Sequence, residues 1–297
     1  MSTILGEMHD LGWKARYNVR GDYPQVKFPD SEWLAIGNRD PQSSYAFLRF
    51  TDSRSFPSIQ SEGGLWKALY AATRGEARVH YDDFLAWLET LPDWDKVRRL
   101  GKLLGILFGC SDRNAKGAGY YLCIAPIIRA FCPGARVLKI PLLVSWTAWH
   151  SFDILIRDLP PSCVSSSYQV GARESNEYEY WAVLGSAVLE CPVRDMTESK
   201  SAKLSRFLFR IEDNVKLPYR QRQTYPRRVA FVLTGSESKV PRGIVGKEGY
   251  VPIMATADDY HAVGEYLEEH REQLWAEALS VYHNGDYMHL CEGYFES

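Results

Sequence analysis

From Arg136 onward, apolar runs long enough to be buried strands alternate with segments of helical spacing. The runs are RVLKIPLLV, WAVLGSAVLE and RRVAFVLTG, and the segments SFDILIRDL and SKSAKLSRFLFRI lie between them. Strands that are apolar on both faces are typical of a covered parallel sheet, whose strands need crossover connections. The pattern therefore predicts a parallel α/β core over residues 134–257.

The regions on either side of this core have a different character. RGDYP and GNRDP are turn signals near the start, and YAFLRF between such signals reads as a strand. DDFLAWLETL, RRLGKLLGILFG and YYLCIAPIIRAF follow with helical spacing, the last interrupted by Pro126. The sequence predicts a mixed then helical region over 1–133 and a C-terminal helical segment over 258–297.

Composition limits the classes of protein that this chain can belong to. With 297 residues, 45% of them apolar, and a formal charge of −2, we expect a folded globular protein in which any nucleic-acid-binding surface is local. No run of about 18 apolar residues and no secretion signal is present, so we expect a cytoplasmic protein without a membrane span. The six cysteines are dispersed, which argues against zinc and against a disulfide framework.

Three stretches are similar to motifs of one family, the virulence-associated protein E-like proteins. LPDWDKVRRL resembles the family's W-D-G-x-x-R-L, and REQLWAEALSVYHNGD resembles its C-terminal R-x-Q-L-W-A-E-A … Y-x-x-G. The stretch from Lys203 to Gly235 resembles its K-x-F-L-S-x-x-x-D-x-x-R-P-P-Y-x-R … P-R-x-x-x-F-x-x-T-T-N. Such proteins are helicase-like P-loop ATPases of phages and mobile elements, often fused to a primase. The resemblance spans about Ala15 to Leu290, without a primase part, and implies that the predicted core is of the P-loop type.

The phosphate-binding loop of that family is missing here. Its G-x-x-x-x-G-K-S needs glycines so that backbone amides turn toward the phosphates, a lysine for the β- and γ-phosphates, and a serine for Mg²⁺. The corresponding window holds none of these at the required places, and its bulky residues would occupy the phosphate volume. The residues of this degenerate nucleotide site are Ser145, Trp146, Trp149, His150, Ser151 and Phe152.

Other parts of the family's ATPase site are also altered. Glu190 matches the first acid of the second nucleotide motif, but the second acid falls on Val193. The family's T-T-N, which helps to orient the attacking water, is Thr234-Gly235-Ser236 here, and both arginines of its G-N-R-R-F-W-P are absent from residues 246–252. Such arginines stabilise charge on the transferring phosphoryl group. The resemblance thus implies a pseudo-ATPase that needs no cofactor.

A basic stretch with interleaved aromatic residues runs from Lys203 to Arg228. Cations that follow phosphates and rings that stack on bases are typical of single-stranded nucleic acid sites. A solvated basic face, balanced by acidic helices such as EYLEEHRE, explains the same pattern, so both interpretations stay open. The candidate nucleic-acid-binding residues are Lys203, Arg206, Lys216, Tyr219, Arg220, Arg222, Arg227 and Arg228.

The leading functional prediction is a catalytically inactive helicase-like module of a phage or mobile element, acting in replication or its regulation or inhibition. Its predicted partners are single-stranded DNA, a replication or defence protein, or a second copy of the chain. The alternative is a divergent NTPase or helicase with a non-standard nucleotide site. His261 and Glu265 share a helix face, but an ion pair explains them better than a metal site.

Overall fold

The computed structural model describes residues 3–37, 41–53, 56, 59–75, 80–110, 112–137, 139–146, 149–165, 183–193, 197–215, 222–236, 240, 244, 249–257 and 259–285. The chain divides into two compact units, Met1–Asp83 and Phe84–Ser297. The division into 1–133, 134–257 and 258–297 stays a prediction about domains. Its two boundaries fall inside the second unit, where helices from both flanking regions pack around the core sheet.

The first unit is a small mixed sheet with three helices. Its described elements, in chain order, are α1 (Thr3–Asp10), β1 (Lys14–Asn18), β2 (Tyr23–Lys27), β3 (Leu34–Ala35), α2 (Pro41–Asp52), α3 (Glu62–Arg74) and β4 (His80–Tyr81). The strand order is β3-β2-β1-β4, antiparallel except for the β1–β4 pair. The strand predicted over YAFLRF is wrong, because this segment is part of α2. Ala46 and Phe50 lie four residues apart, one helical turn, and both are buried in the core of this unit.

The second unit begins with helices and continues into a parallel sheet. Its described elements are α4 (Asp83–Leu88), a 3-10 turn (Leu100–Lys102), α5 (Leu103–Phe108), α6 (Arg113–Phe131), β5 (Ile140–Ser145), α7 (Trp149–Asp158), β6 (Val188–Pro192), α8 (Glu198–Leu208), β7 (Glu212–Val215), β8 (Gln223–Pro226), β9 (Ala230–Ser236), β10 (Tyr250–Met254) and α9 (Tyr260–His283). The predicted α/β class, with a mixed N-terminal region and a C-terminal helix, is confirmed.

The core sheet has the strand order β10-β5-β9-β6, and all its described pairs are parallel. Side chains on one face, including Leu143 and Val232, share a core with α6, α7 and α9. Those on the other face, including Leu142 and Leu233, pack with Leu204 of α8 and its neighbours. Both faces are therefore covered, which explains why these strands are apolar throughout.

Helix α6 is continuous through Pro126, so the predicted interruption at that residue is wrong. A proline inside a helix removes one backbone hydrogen bond and normally bends or breaks the helix. Every residue of α6 from Gly117 to Ala130 is buried, including Pro126 itself. Packing on all sides therefore outweighs the local preference for a break.

Candidate functional site

The carboxyl ends of the parallel strands define the candidate site. In open α/β sheets, ligands bind outside these ends, between two neighbouring strands whose connections leave in opposite directions. Strands β5 and β9 flank that point here, because the chain leaves β5 toward β6 on one side and leaves β9 toward β10 on the other. The connection from β5 to α7 therefore occupies the position where a nucleotide phosphate would be expected.

Glu190 of β6 and Thr234 of β9 meet on neighbouring strands beside this connection. The hydroxyl of Thr234 donates a hydrogen bond of 2.5 Å to Oε1 of Glu190. Glu190 is only 4% exposed and Thr234 is fully buried. Both side chains lie on the sheet face covered by α7, because Val188 and Val232, each two residues earlier, belong to the core on that face. The two residues matched separately to the family's nucleotide motifs thus form one buried polar pair.

Two serines extend this polar group along the edge of the sheet. Ser145 and Ser236 are register partners at the ends of β5 and β9, and both are buried. Alternation along the strands places them on the same face as Thr234. Ser151 in the first turn of α7 is also buried. Among the described residues, the carboxyl edge therefore carries hydroxyl groups and the carboxylate of Glu190.

The predicted strand, connection and helix are all present between residues 140 and 158, but their bulky residues have different environments. Trp146 follows β5 directly and is 67% exposed. Phe152 is 1% exposed and packs edge-on against Phe108, with ring centroids 4.9 Å apart. Phe152 therefore fills the core beneath α7 and not the connection. The side chains of Trp149 and His150 lie outside the described part of the chain.

Gly235 departs from the family's T-T-N for a steric reason. A Cβ atom at this position would lie 2.5 Å from Cγ2 of Val240 and 3.2 Å from Cγ2 of Val193. These distances are too short for any larger side chain without movement of both valines. Residues around the end of β9 have thus packed into the volume that the family's second threonine would need.

Within the predicted basic stretch, Arg227 and Arg228 bind protein groups. Arg227 is 2% exposed and forms a bidentate ion pair with Asp213 through bonds of 2.6 and 2.8 Å. Arg228 is partly buried, and its Nη1 lies 3.4 Å from the carbonyl oxygen of Ala130. Arg227 is therefore not available to bind a nucleic acid in this arrangement. Its partner Asp213 is an acid within a stretch of many cations, and that isolation is the sequence signal for the ion pair.

The remaining described cations of this stretch reach the surface. Lys203 and Arg206 are exposed on α8, and Arg222 is exposed immediately before β8. Strands β7 and β8 form a two-stranded antiparallel hairpin, paired from Glu212 with Pro226 to Val215 with Gln223. Lys216, Tyr219 and Arg220 lie outside the described residues, in the sequence that joins these two strands.

The two motifs at Trp94 and Trp275, which carried much of the family resemblance, contact each other. Gln273 of α9 accepts a bond of 2.9 Å from the amide of Asp95 and donates one of 3.2 Å to the carbonyl of Asp93. One turn further on, Glu277 accepts the backbone amide hydrogens of Arg99 and Leu100. Between them, the indole nitrogen of Trp275 donates to the carbonyl of Leu159, just after α7. These contacts link both motifs to the helix that follows β5.

Other candidate groups have no such organisation. Among the described residues, no cluster of three or more histidine, cysteine or acidic side chains could hold a metal ion. His261 and Glu265 are both exposed on α9. Across the described ranges, every helix is too short or too polar to cross a bilayer.

Comparison with known proteins gives one family and many solved structures of similar fold. The virulence-associated protein E-like domain matches residues 88–294. None of the curated proteins matches the chain. The A form apo structure of the NrS-1 C-terminal region has a TM-score of 0.58 at 10% identity, covering 94% of this chain and 68% of that one. A second apo structure of the same region has a TM-score of 0.57 at 10% identity, with 93% and 68% coverage.

A structure of JCV helicase bound to a substituted acetamide gives a TM-score of 0.35 at 14% identity, covering 80% of this chain and 70% of that one. At these identities the NrS-1 likenesses concern the fold alone. The JCV likeness is too weak to bear on the fold.

Proposed function

Since the chain belongs to the virulence-associated protein E-like family, we propose that it is a helicase-like module that no longer hydrolyses nucleotide and binds single-stranded nucleic acid. We place this role in the replication of a phage or mobile element, or in the inhibition of that replication. One observation carries the proposal. The buried Glu190–Thr234 pair stands beside a β5–α7 connection that contains neither glycine nor lysine.

The loss of nucleotide hydrolysis follows from the charge that a triphosphate brings. Binding it needs amide hydrogens that converge on the phosphates, a lysine, and a metal ion held by a hydroxyl and an acid. In residues 145–152 the only titratable side chain is that of His150, and no glycine frees the backbone. Glu190 supplies one acid, and the neighbours described beside it along this edge, Ser145, Thr234 and Ser236, carry hydroxyl groups. We therefore expect no binding of ATP–Mg²⁺ in the micromolar range.

The nucleic acid site is assigned to the sequence between the two strands of the β7–β8 hairpin. Residues 216–222 read KLPYRQR, which contains three cations, one tyrosine and no acid. Charges that follow the phosphates and an aromatic ring that stacks on a base suit a single strand. Lys203 and Arg206, exposed on α8, are further candidates for phosphate contacts.

Isothermal titration of the whole chain with ATP–Mg²⁺ tests the first half of the proposal. The expected result is the absence of micromolar binding and of turnover. Hydrolysis that disappears in Glu190→Ala would contradict the proposal and support a divergent NTPase. The same variant must retain the thermal transition of the parent protein, so that loss of activity is not loss of folding.

Binding of a fluorescein-labelled oligothymidine, followed by anisotropy at several salt concentrations, tests the second half. We expect the double variant Arg220→Gln, Arg222→Gln to weaken binding and to reduce the slope of log K against log salt by about 0.7 for each lost phosphate contact. Lys67→Gln, which removes an exposed cation from the first unit, is the matched control and should change neither quantity. A parent protein that does not bind, or variants without effect, would favour a protein partner or a second copy of the chain.

A further inference from the structure

The sheet of the first unit packs against helices on one of its two faces. Ala15, Val26 and Leu34 are register partners across β1, β2 and β3, and all three pack in the core that the sheet forms with α1, α2 and α3. Successive residues of a strand alternate between the two faces of a sheet. Arg16 and Gln25, which are register partners one position away, therefore lie on the face opposite to these helices.

This opposite face carries several cations. Alternation along the paired strands places Lys14, Arg16 and Lys27 on it, together with the ring of Tyr81. Within the described strands β1 to β4, no acidic residue occupies a position on this face. Glu32, outside the strands, lies 4.0 Å from Nζ of Lys27. Lys14 and Lys27 are direct register partners, and like charges placed so destabilise a strand pair, so a bound anion would relieve their repulsion.

Arg16 is held on this face by uncharged groups. The central carbon of its guanidinium lies 3.4 Å from the centroid of the Tyr81 ring and 4.1 Å from that of the Trp33 ring. Its Nε donates to Oε1 of Gln25 at 2.6 Å. Burial lowers the pKa of Arg16, whereas Tyr81 and Asp83 nearby oppose this change. Among the described residues, the contacts of the guanidinium are thus with rings and an amide, and no ion pair neutralises it.

The surroundings of Arg16 favour the binding of an anion. The carboxylate of Asp83 is already engaged, because its Oδ2 accepts a hydrogen bond from the side-chain amide of Asn18, and burial raises its pKa. The two rings and Gln25 restrict the guanidinium, so it loses little entropy when it binds a phosphate. A partly buried cation of this kind gains more from an anionic ligand than a cation in open water does.

We propose that this surface, the Arg16 face (Lys14, Arg16, Lys27, Trp33 and Tyr81), binds single-stranded nucleic acid. The cations contact phosphates, and the ring of Trp33 stacks on a base. The family match begins at residue 88, so it assigns nothing to this surface. The Arg16 face shares no residue with the hairpin of the proposed function, and the two sites can be tested separately.

Two fluorescein-labelled strands of equal length, oligothymidine and an abasic strand, separate stacking from charge. The full chain carries Arg220→Gln and Arg222→Gln, so that the hairpin does not mask the first unit, and anisotropy gives Kd. Trp33→Leu should raise Kd severalfold for oligothymidine but leave Kd for the abasic strand nearly unchanged, and Trp33→Phe should keep most of the affinity. A purely structural role would weaken both strands alike, and that result overturns the inference.

Lys14→Gln tests the phosphate contacts without disturbing the core, because Lys14 is exposed. It should weaken the binding of both strands and reduce the slope of log K against log salt by about 0.7. Lys67→Gln is the matched control, since it removes an exposed cation from α3, on the helical side of the sheet, and should change neither quantity. A parent-like slope in Lys14→Gln, or competition by polyglutamate as strong as that by oligothymidine, overturns the inference.

Photocrosslinking of the parent chain to an oligothymidine that contains 5-iododeoxyuridine shows contact directly. Mass spectrometry of the digest should find adducts on the peptides that carry Trp33 or Tyr81. Adducts confined to residues 84–297 overturn the inference and leave the proposed function standing. Adducts confined to residues 1–83 support it and remove the hairpin from the proposed function. A parent chain that binds no oligothymidine overturns the inference together with the nucleic acid half of the proposed function, while titration with ATP–Mg²⁺ still decides the other half.

Discussion

Replacement of Glu277 by alanine should destabilise the second unit by a measurable amount. The carboxylate is 1% exposed, and its Oε2 accepts the amide hydrogens of Arg99 at 2.6 Å and of Leu100 at 3.0 Å. These amides begin the 3-10 turn that leads into α5, so no carbonyl of an earlier turn can accept them. Hydrogen bonds to a charged acceptor contribute about 1.5–3 kcal/mol each, and a buried donor left unpaired costs about 1–3 kcal/mol.

The alanine variant also relieves the cost of burying a carboxylate, which offsets part of this loss. Within the described chain, Oε1 of Glu277 has no hydrogen-bond partner. We therefore expect the free energy of unfolding to fall by about 2–4 kcal/mol. Urea unfolding followed by circular dichroism measures this as a lower midpoint with an unchanged slope. A midpoint equal to that of the parent protein would refute the capping role.

Glu277→Gln keeps a side-chain oxygen that can accept the two amide hydrogens but removes the negative charge. Burial raises the pKa of Glu277 above its usual 4.5. The folded state then holds its proton at pH values where the unfolded state has lost it, so the parent protein loses stability as the pH rises from 4.5 through the folded pKa. Glutamine has no proton to lose. The advantage of the parent over the glutamine variant should therefore be largest on the acid side and smaller at neutral pH. A difference that does not vary with pH would contradict this assignment.

Four further substitutions test the candidate sites. Phe152→Ala should lower the free energy of unfolding by about 3–5 kcal/mol, because the ring is packed in the core. Trp146→Ala should change it by less than about 0.5 kcal/mol. Thermal unfolding compares the two variants, and equal effects would mean that the residues after β5 are packed differently. Gly235→Thr, which introduces the family's residue, should lower the free energy of unfolding by about 1–3 kcal/mol through overpacking. An unchanged transition temperature would show that Val240 can move to make room. Arg222→Gln alone should reduce the salt slope of oligothymidine binding by about 0.7, with no change in unfolding temperature, and a parent-like slope would remove Arg222 from the site.

The sequence predicts the fold best where hydrophobic burial alone determines the structure. Apolar runs around Leu143, Leu189 and Val232 predicted a covered parallel sheet, because only burial on both faces explains such runs. The segment YAFLRF lies between turn signals and is short enough to fit a strand or a helix, and contacts with distant residues in the core of the first unit favour the helix. Pro126 predicts a break in the helix for the same reason. The packing around α6, and not the local preference of proline, determines that the helix continues.

The site was harder to predict because its contacts join residues far apart in sequence. Glu190 and Thr234 were each recognised, but only the parallel register brings their side chains together. The charge of Arg227 is visible in the sequence but its burial is not, so the sequence places it with the other cations of the basic stretch. The contact between Glu277 and the segment at Arg99 joins residues far apart along the chain, and no local pattern predicts it.

The position of β9 between β5 and β6 has a consequence for synthesis of the protein. Among the strands of the core sheet, β5 and β6 reach the ribosome exit first, but they are not neighbours, and both pair with β9. Until residues 230–236 have been made, the edges of both strands stay open and their apolar faces lack the central partner. A nascent or truncated chain that ends before this point is therefore the species that a chaperone would need to hold, and the one that would aggregate if released.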